Sequence, residues 1–335
     1  MMKYTDNALN ILTVKSYKGI GNAWIVNNLG NNESIETIVA LINTKCTTSI
    51  WEFEQRKKKY KETLLEKFGK LCDGFIAFGD DNFPQHRGKV NDGERPVFLY
   101  YKGNIELLDV SNKNISVIGL LNPTEDIEMR ERKIVSQLVK NGATIVSGLA
   151  LGCDSISHSE ALNSNGRTIA ILPSPLTNIL PKSNNKLASQ IVEEGGLLIS
   201  EYGNDFKNKM ELNTRYKDRD RLQALFCDSI LLISSFSKNS GEKEGHLFGQ
   251  KLDSGARLAM QYAKNYNIPR AVMYDNSIDE NNPMFDLCRE IIKESKNESK
   301  DIAILTQENY IDKIREIVNK KATVINNPKE KGLFD

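Results

Sequence analysis

Between residues 75 and 274, short runs of β-branched and aliphatic residues recur, bounded by glycine or proline and separated by stretches of helical spacing. Ile115–Ile118, Thr144–Val146, Thr168–Leu172, Leu197–Glu201, Ser229–Ser234 and Ala271–Tyr274 are such runs. A strand that is apolar on both faces has to be covered on both faces. The intervening segments supply the cover. Glu125–Asn141 sets Ile127, Ile134, Leu138 and Val139 on one helical face and stops at Gly142. This alternation predicts the α/β class: a mostly parallel sheet with helices on both faces, joined by right-handed crossovers, with ligands beyond the C-terminal strand ends.

The texture before residue 73 is different. Helices are expected at Ala8–Lys15, Ala23–Leu29, Ser34–Ile42 and Thr47–Lys70, which makes 1–72 a small all-helical domain in front of 73–275. The remainder, 276–335, is expected to be a helical extension and a tail that is loose from Lys320 on. Gly19-Ile20-Gly21, between the first two helices, reads in two ways. It is either a helix-hairpin-helix turn whose amides hold a DNA phosphate, or a tight interhelical turn with no ligand. The run Arg56–Lys59 reads as a solvated helix face.

The formal net charge is +1, so no global basic field points to nucleic acid and any binding face has to be local. No apolar run approaches the roughly 20 residues of a membrane span, and the first residues lack the apolar core of a signal peptide. Five scattered cysteines (46, 72, 153, 227, 288) form no CxxC pair, and there are only three histidines. Free thiols in a reducing cytoplasm, no metal and no cofactor are expected.

Two stretches carry chemistry. In Thr144–His158 a strand runs into a turn on Ser147, Gly148 and Gly152, and Asp154 stands as N-cap of the next helix. Loop amides, a hydroxyl and a helix N-terminus aimed at one point suit an anion, and Ser147 and Gly148 are the candidates. Gly119 is a second such point, although GxGxxG is absent. Asp154 and His158 are spaced i,i+4, but Cys153, Ser155 and Ser157 have no activating context, so an N-cap and a packed histidine are expected instead of a catalytic pair. The second stretch sets Arg215, Lys217, Arg219 and Arg221 in seven residues. These cations either grip phosphates, with Tyr202, Phe206 and Tyr216 stacking on bases, or form a solvated face satisfied by Asp218 and Asp220.

From Asp80 to Tyr274 the order of motifs resembles the DNA-processing protein A (DprA/Smf) family. The matching residues are Phe83-Pro84, Pro96–Tyr101 with Lys102-Gly103, Ser147-Gly148-Leu149-Ala150 with Gly152, Asp154 and His158, and Ala161-Leu162. They continue with Gly166–Leu172, Gly195–Glu201, Arg219 with Arg221, and Ser254-Gly255, while the segment around Gly19–Gly21 resembles the helical domain preceding this fold in many members. The resemblance implies an extended Rossmann-like domain that binds single-stranded DNA without catalysis, protects or processes it, and helps to load a RecA-type recombinase in transformation. It also implies a homodimer, and DNA contacts at Ser147, Gly148, Arg215, Lys217, Arg219, Arg221, Ser254, Gly255 and Gly119, with a second contact at Gly19 and Gly21. The chain departs from the family at Gly119-Leu120-Leu121, where a hydroxyl and a guanidinium are expected, at Asp220, where the family has Asn, and in its long 235–252 loop. A nucleotide-binding sensor or a phosphoribohydrolase resembling the LOG enzymes stands as the alternative, although the Pro-Gly-Gly-x-Gly-Thr motif is missing. An interaction protein in phage defence is a third.

Overall fold

The computed structural model describes residues 2–68, 71–238, 240, 255–298 and 302–324. Packing divides the chain into two compact units, one of Met1–Pro84, Val90–Glu106 and Ala170–Tyr216, the other of Gln85–Lys89, Leu107–Ile169 and Lys217–Asp335. The division falls inside the fifth strand.

The first unit opens with helices α1 (Asp6–Val14), α2 (Asn22–Asn28), α3 (Ile35–Ile42) and α4 (Ile50–Phe68). Thr5 and Ser34 accept from the amides of Ala8 and Thr37, capping α1 and α3. The helices share their core with strands β1 (Gly74–Ala77) and β2 (Phe98–Gly103), an antiparallel pair. Tyr100 at its centre stacks on Phe68 of α4 at 5.1 Å and meets Phe75 at 5.8 Å. Asn7 of α1 donates to the carbonyl of Phe78 and to Asp80. β2 also pairs antiparallel with β6 (Leu197–Ser200), which follows α7 (Asn185–Glu193).

The second unit is the expected alternation: β3 (Asn114–Ile118), α5 (Glu125–Lys140), β4 (Thr144–Ser147), α6 (Cys153–Asn163) and the first half of β5 (Thr168–Ile171). Helix α8 (Lys209–Leu225) leads to β7 (Ser229–Leu232), α9 (Gly255–Asn265) and β8 (Arg270–Met273). Then come α10 (Asp286–Asn297), β9 (Ala303–Leu305) and α11 (Tyr310–Asn319). The pairs β3–β4, β3–β7, β7–β8 and β8–β9 are all parallel. Every residue of β3, β4, β7 and β8 is buried, as strands covered on both faces require. The α/β class and the mostly parallel pairing follow the sequence expectation.

Three local expectations are corrected. Ala271–Tyr274 is not the last strand, because Ile304 and its neighbours pair in register with β8. Helix α8 begins at Lys209, inside the polar stretch 203–213 that the sequence sets before a helix through Phe226, because Asn208 accepts from the amide of Glu211 and closes the first turn. The tail is not loose at Lys320. Gly88 donates to the carbonyl of Thr323 at 2.8 Å, and the Lys321 ammonium reaches the carbonyls of Val110 and Ser111 at 3.1 and 3.2 Å. Most of the 235–252 loop lies outside the described residues.

Candidate functional site

β3 lies between β4, the next strand in the chain, and β7, a much later one. The strand order reverses direction at β3, and in open parallel sheets the crevice beyond the C-terminal ends at such a point is where ligands bind. Three loops meet there, the ones that leave β3 at Gly119, β4 at Gly148 and β7 at Ile233.

Glycine is what lets these loops close on one another. A Cβ on Gly119 would stand 2.6 Å from Cys153 Sγ and 3.2 Å from the Ser234 carbonyl oxygen. Gly152, at φ +69°, has the carbonyls of Leu120 and Leu121 against its Cα, and Cys153 N donates to Leu120 O at 2.9 Å. Gly152 is therefore the N-cap of α6, and Asp154, expected in that role, sits inside the first turn. Leu120 is buried and Leu121 exposed.

The carboxylate of Asp154 has another use. Arg219, on α8, donates from Nη1 to Asp154 Oδ2 at 2.9 Å, and its Nε lies 3.1 Å from Asp220 Oδ1. All three residues are buried. The guanidinium lies over the Cα of Gly148, where any side chain would collide with it. Asp220 in turn reaches the start of α9, with Oδ2 2.8 Å from where a Cβ of Gly255 would be. A carboxylate near a helix N-terminus is favourably placed, but burial, with the nearby charge of Asp154, pushes Asp220 up to about 7 against the pull of Arg219. Arg219 thus bridges Asp154 and Asp220 under the loop edge.

The remaining candidates are spread over different tasks. The Ser147 hydroxyl is fully buried and donates to the Val117 carbonyl at 2.7 Å, so it is spent across the strand pair. Arg215 is buried. It donates to the carbonyl of Asn204 at 2.6 Å, pairs with Glu211 at 2.6 Å, and lies 4.1 Å from the Tyr202 ring. Arg221 is buried as well, and only Lys217 of the four cations is exposed. The reading of Arg215–Arg221 as an outward row is corrected on this point: three of the four pack inward, and Tyr202 is occupied by Arg215. Gly19 and Gly21 are exposed in the first unit, with open space around both Cα atoms. Beside them Arg56 lies 4.1 Å from the Tyr17 ring and donates to Ser16 Oγ at 3.2 Å. Ser254 falls outside the described residues.

His158 is scaffold. Its Nδ1 lies 2.6 Å from Thr168 Oγ1, which donates onward to the Ile145 carbonyl at 2.9 Å, so Nδ1 carries the proton. Complete burial lowers its pKa to about 4, and it is neutral at physiological pH. A group that the sequence reading missed lies close by. Glu131 of α5 is fully buried, accepts from Ser157 Oγ at 2.7 Å, and is raised by burial to about 8. Among the described residues no cluster of His, Cys, Asp and Glu could hold a metal ion, and no helix is long and apolar enough to cross a membrane.

A sheet with its strand-order reversal at β3, glycine loops closing that edge and a chain-distant Arg–Asp pair beneath them define an open, mostly parallel α/β protein of the class whose ligands bind at such an edge. The sequence pattern of the DNA recombination-mediator protein A family matches residues 74–302, and the chain belongs to that family. Protein Smf of Borreliella burgdorferi is 37% identical over 139 residues, 41% of this chain and 43% of that protein. The chain spans about half the length of the curated relatives it matches. DNA processing protein A of Streptococcus pneumoniae superposes with a TM-score of 0.65 at 23% identity, covering 92% of this chain and 98% of that one. The Helicobacter pylori protein, solved to describe its single-stranded DNA binding mode, gives 0.53 at 24% identity over 72% of this chain and 99% of its own. At these identities the two structures establish the shared fold.

Proposed function

We propose that the chain binds single-stranded DNA without catalysis, protecting or presenting it, and assists the loading of a RecA-type recombinase as a homodimer. The observation that carries this reading is the strand-order reversal at β3, set inside the span that matches the recombination-mediator family. The DNA-binding relative from Helicobacter pylori lends it support.

In this reading residues 73–275 hold the DNA, flanked by the helical lead-in and the C-terminal extension. The backbone amides around Gly119, Ser147, Gly148 and Gly255 and the Lys217 ammonium take phosphates, and the turn at Gly19–Gly21 makes a second contact. Arg219 sets the position of the loop at Gly148 from beneath. The buried His158, held by Thr168, has no nucleophile to activate.

Competition between labelled single strands and unlabelled duplex tests the substrate, and recombinase filament nucleation on a coated strand tests the partner. Preference for single strands and faster nucleation are expected. Equal affinity for duplex, or no effect on nucleation, contradicts the respective half.

A further inference from the structure

Beyond the C-terminal ends of β8 and β9 the second unit carries a cleft of about 440 Å³ that shares no residue with the crevice at β3. Its floor is apolar, made by Ile134 of α5, Met273 at the end of β8 and Leu305 at the end of β9. Met129 of α5 flanks it and is 51% exposed. Arg130 also lines the cleft, but its guanidinium is committed. It donates twice to Asp279, at 2.8 and 2.7 Å, and lies 5.2 Å from the Phe285 ring.

Asp126 and Thr306 line the cleft too, Asp126 Oδ2 lying 3.6 Å from Arg130 Nη1 and Thr306 Oγ1 accepting from the amide of Asn309 at 3.2 Å, and three other lining side chains are uncommitted. The Lys133 ammonium, the Gln307 amide and the Tyr310 hydroxyl make no hydrogen bond or ion pair among the described residues. An apolar floor beside one free cation, one donor–acceptor amide and one hydroxyl selects among ligand classes. An acyl chain would cover the floor but leave three polar groups facing it, which costs free energy. A free sugar would satisfy the polar groups and leave Met129 wet. An inorganic anion would use Lys133 alone. A planar heteroaromatic ring with an anionic arm uses everything. Thioethers make favourable contacts with aromatic rings, an amide matches the mixed donor and acceptor edge of a base, and an ammonium binds phosphate. The volume lies in the range of roughly 300–1,000 Å³ typical of small-molecule sites.

We propose that this cleft binds a nucleoside monophosphate, its base on Met129 with its edge toward Gln307 and Tyr310, and its phosphate on Lys133. The cleft is separate from the crevice proposed for DNA, so either assignment can fail without the other.

The test is isothermal titration of the intact protein with AMP, GMP, CMP and UMP, with adenosine and inorganic phosphate as separate arms. At least one monophosphate is expected to bind saturably at one site, more tightly than either fragment. Lys133→Ala is expected to weaken it about tenfold through loss of a charge-assisted contact. Gln307→Ala is expected to change the ranking of the bases, and both variants are expected to keep wild-type oligonucleotide affinity. Absence of heat with all four at about 1 mM, the weak end of the affinity scale, overturns the proposal. So does phosphate binding as tight as the nucleotide's, or nucleotide binding that neither substitution alters.

Discussion

Arg219 Nη1 and Asp154 Oδ2 are 2.9 Å apart, joining residues 65 positions distant in the chain with both side chains buried. Losing one partner of such a pair leaves an uncompensated charge, at a cost of about 3–5 kcal/mol. Arg219→Ala is expected to lower stability to urea by that order, and the Asp154→Asn, Arg219→Ala double variant by less than the sum of the singles. Gly148→Ala should also destabilise, because a methyl group there displaces the guanidinium. Stability of Arg219→Ala within about 0.5 kcal/mol of wild type, the range of ordinary surface changes, would refute the structural role.

Glu131 makes stability depend on pH with a definite sign. Its carboxyl titrates near 8 in the folded chain against 4.5 in the unfolded one, so between these values the folded chain binds more protons and raising the pH removes stability. Asp220, raised to about 7 from 3.8, acts in the same direction. His158, lowered to about 4 from 6.5, acts oppositely, but only below 6.5. The urea midpoint is therefore expected to fall from pH 6.5 to pH 8, and Glu131→Gln, which keeps an acceptor for Ser157, should flatten that fall. A midpoint that rises over this window contradicts the burial of an uncharged Glu131.

The split between buried and exposed cations separates binding from stability. Lys217 is exposed, so Lys217→Ala should weaken oligonucleotide binding while leaving the unfolding midpoint in place. Arg215→Ala and Arg221→Ala should do the reverse, lowering the midpoint first and affecting DNA through it. Equal losses of affinity at unchanged stability for all of these variants would mean that the arginines reach DNA directly.

Arg87 ties down the end of the described chain. It is fully buried and donates to the carbonyls of Leu108 and Asp109 at 3.0 and 3.1 Å, with Asp228 at 3.6 Å. Its neighbour Gly88 holds Thr323. Arg87→Ala is expected to destabilise by about 3–5 kcal/mol, as for other broken buried pairs, and to speed amide exchange at Gly88. Unchanged exchange would show that residues 320–324 are held by other contacts.

The sequence made the α/β alternation legible because its strands are apolar on both faces, a pattern few other folds require. Loop-edge glycines were legible as turn formers, and His158 as a packed residue. The partners of those glycines were not. Nothing in local spacing says that Gly148 is small to admit Arg219, or that Gly255 is small to admit Asp220, because each contact joins segments far apart in the chain. The outward reading of Arg215–Arg221 failed for the same reason, since the burial of a charge depends on an acid found elsewhere. Glu131 was within reach. It lies four residues from Ile127 and three from Ile134, on the stripe already assigned to the core. Strand β9 lies in the short apolar run Ile302–Leu305, whose three paired residues carry too little pattern to mark a strand.

The most direct test of the central claim is the anisotropy of a labelled single-stranded oligonucleotide titrated with the protein across a series of salt concentrations. The account predicts binding at low salt whose log affinity falls linearly with log salt, with a slope reduced by roughly 0.7 in Lys217→Ala, one phosphate contact on a single strand. No binding at low salt, or an affinity flat across the series, would contradict it.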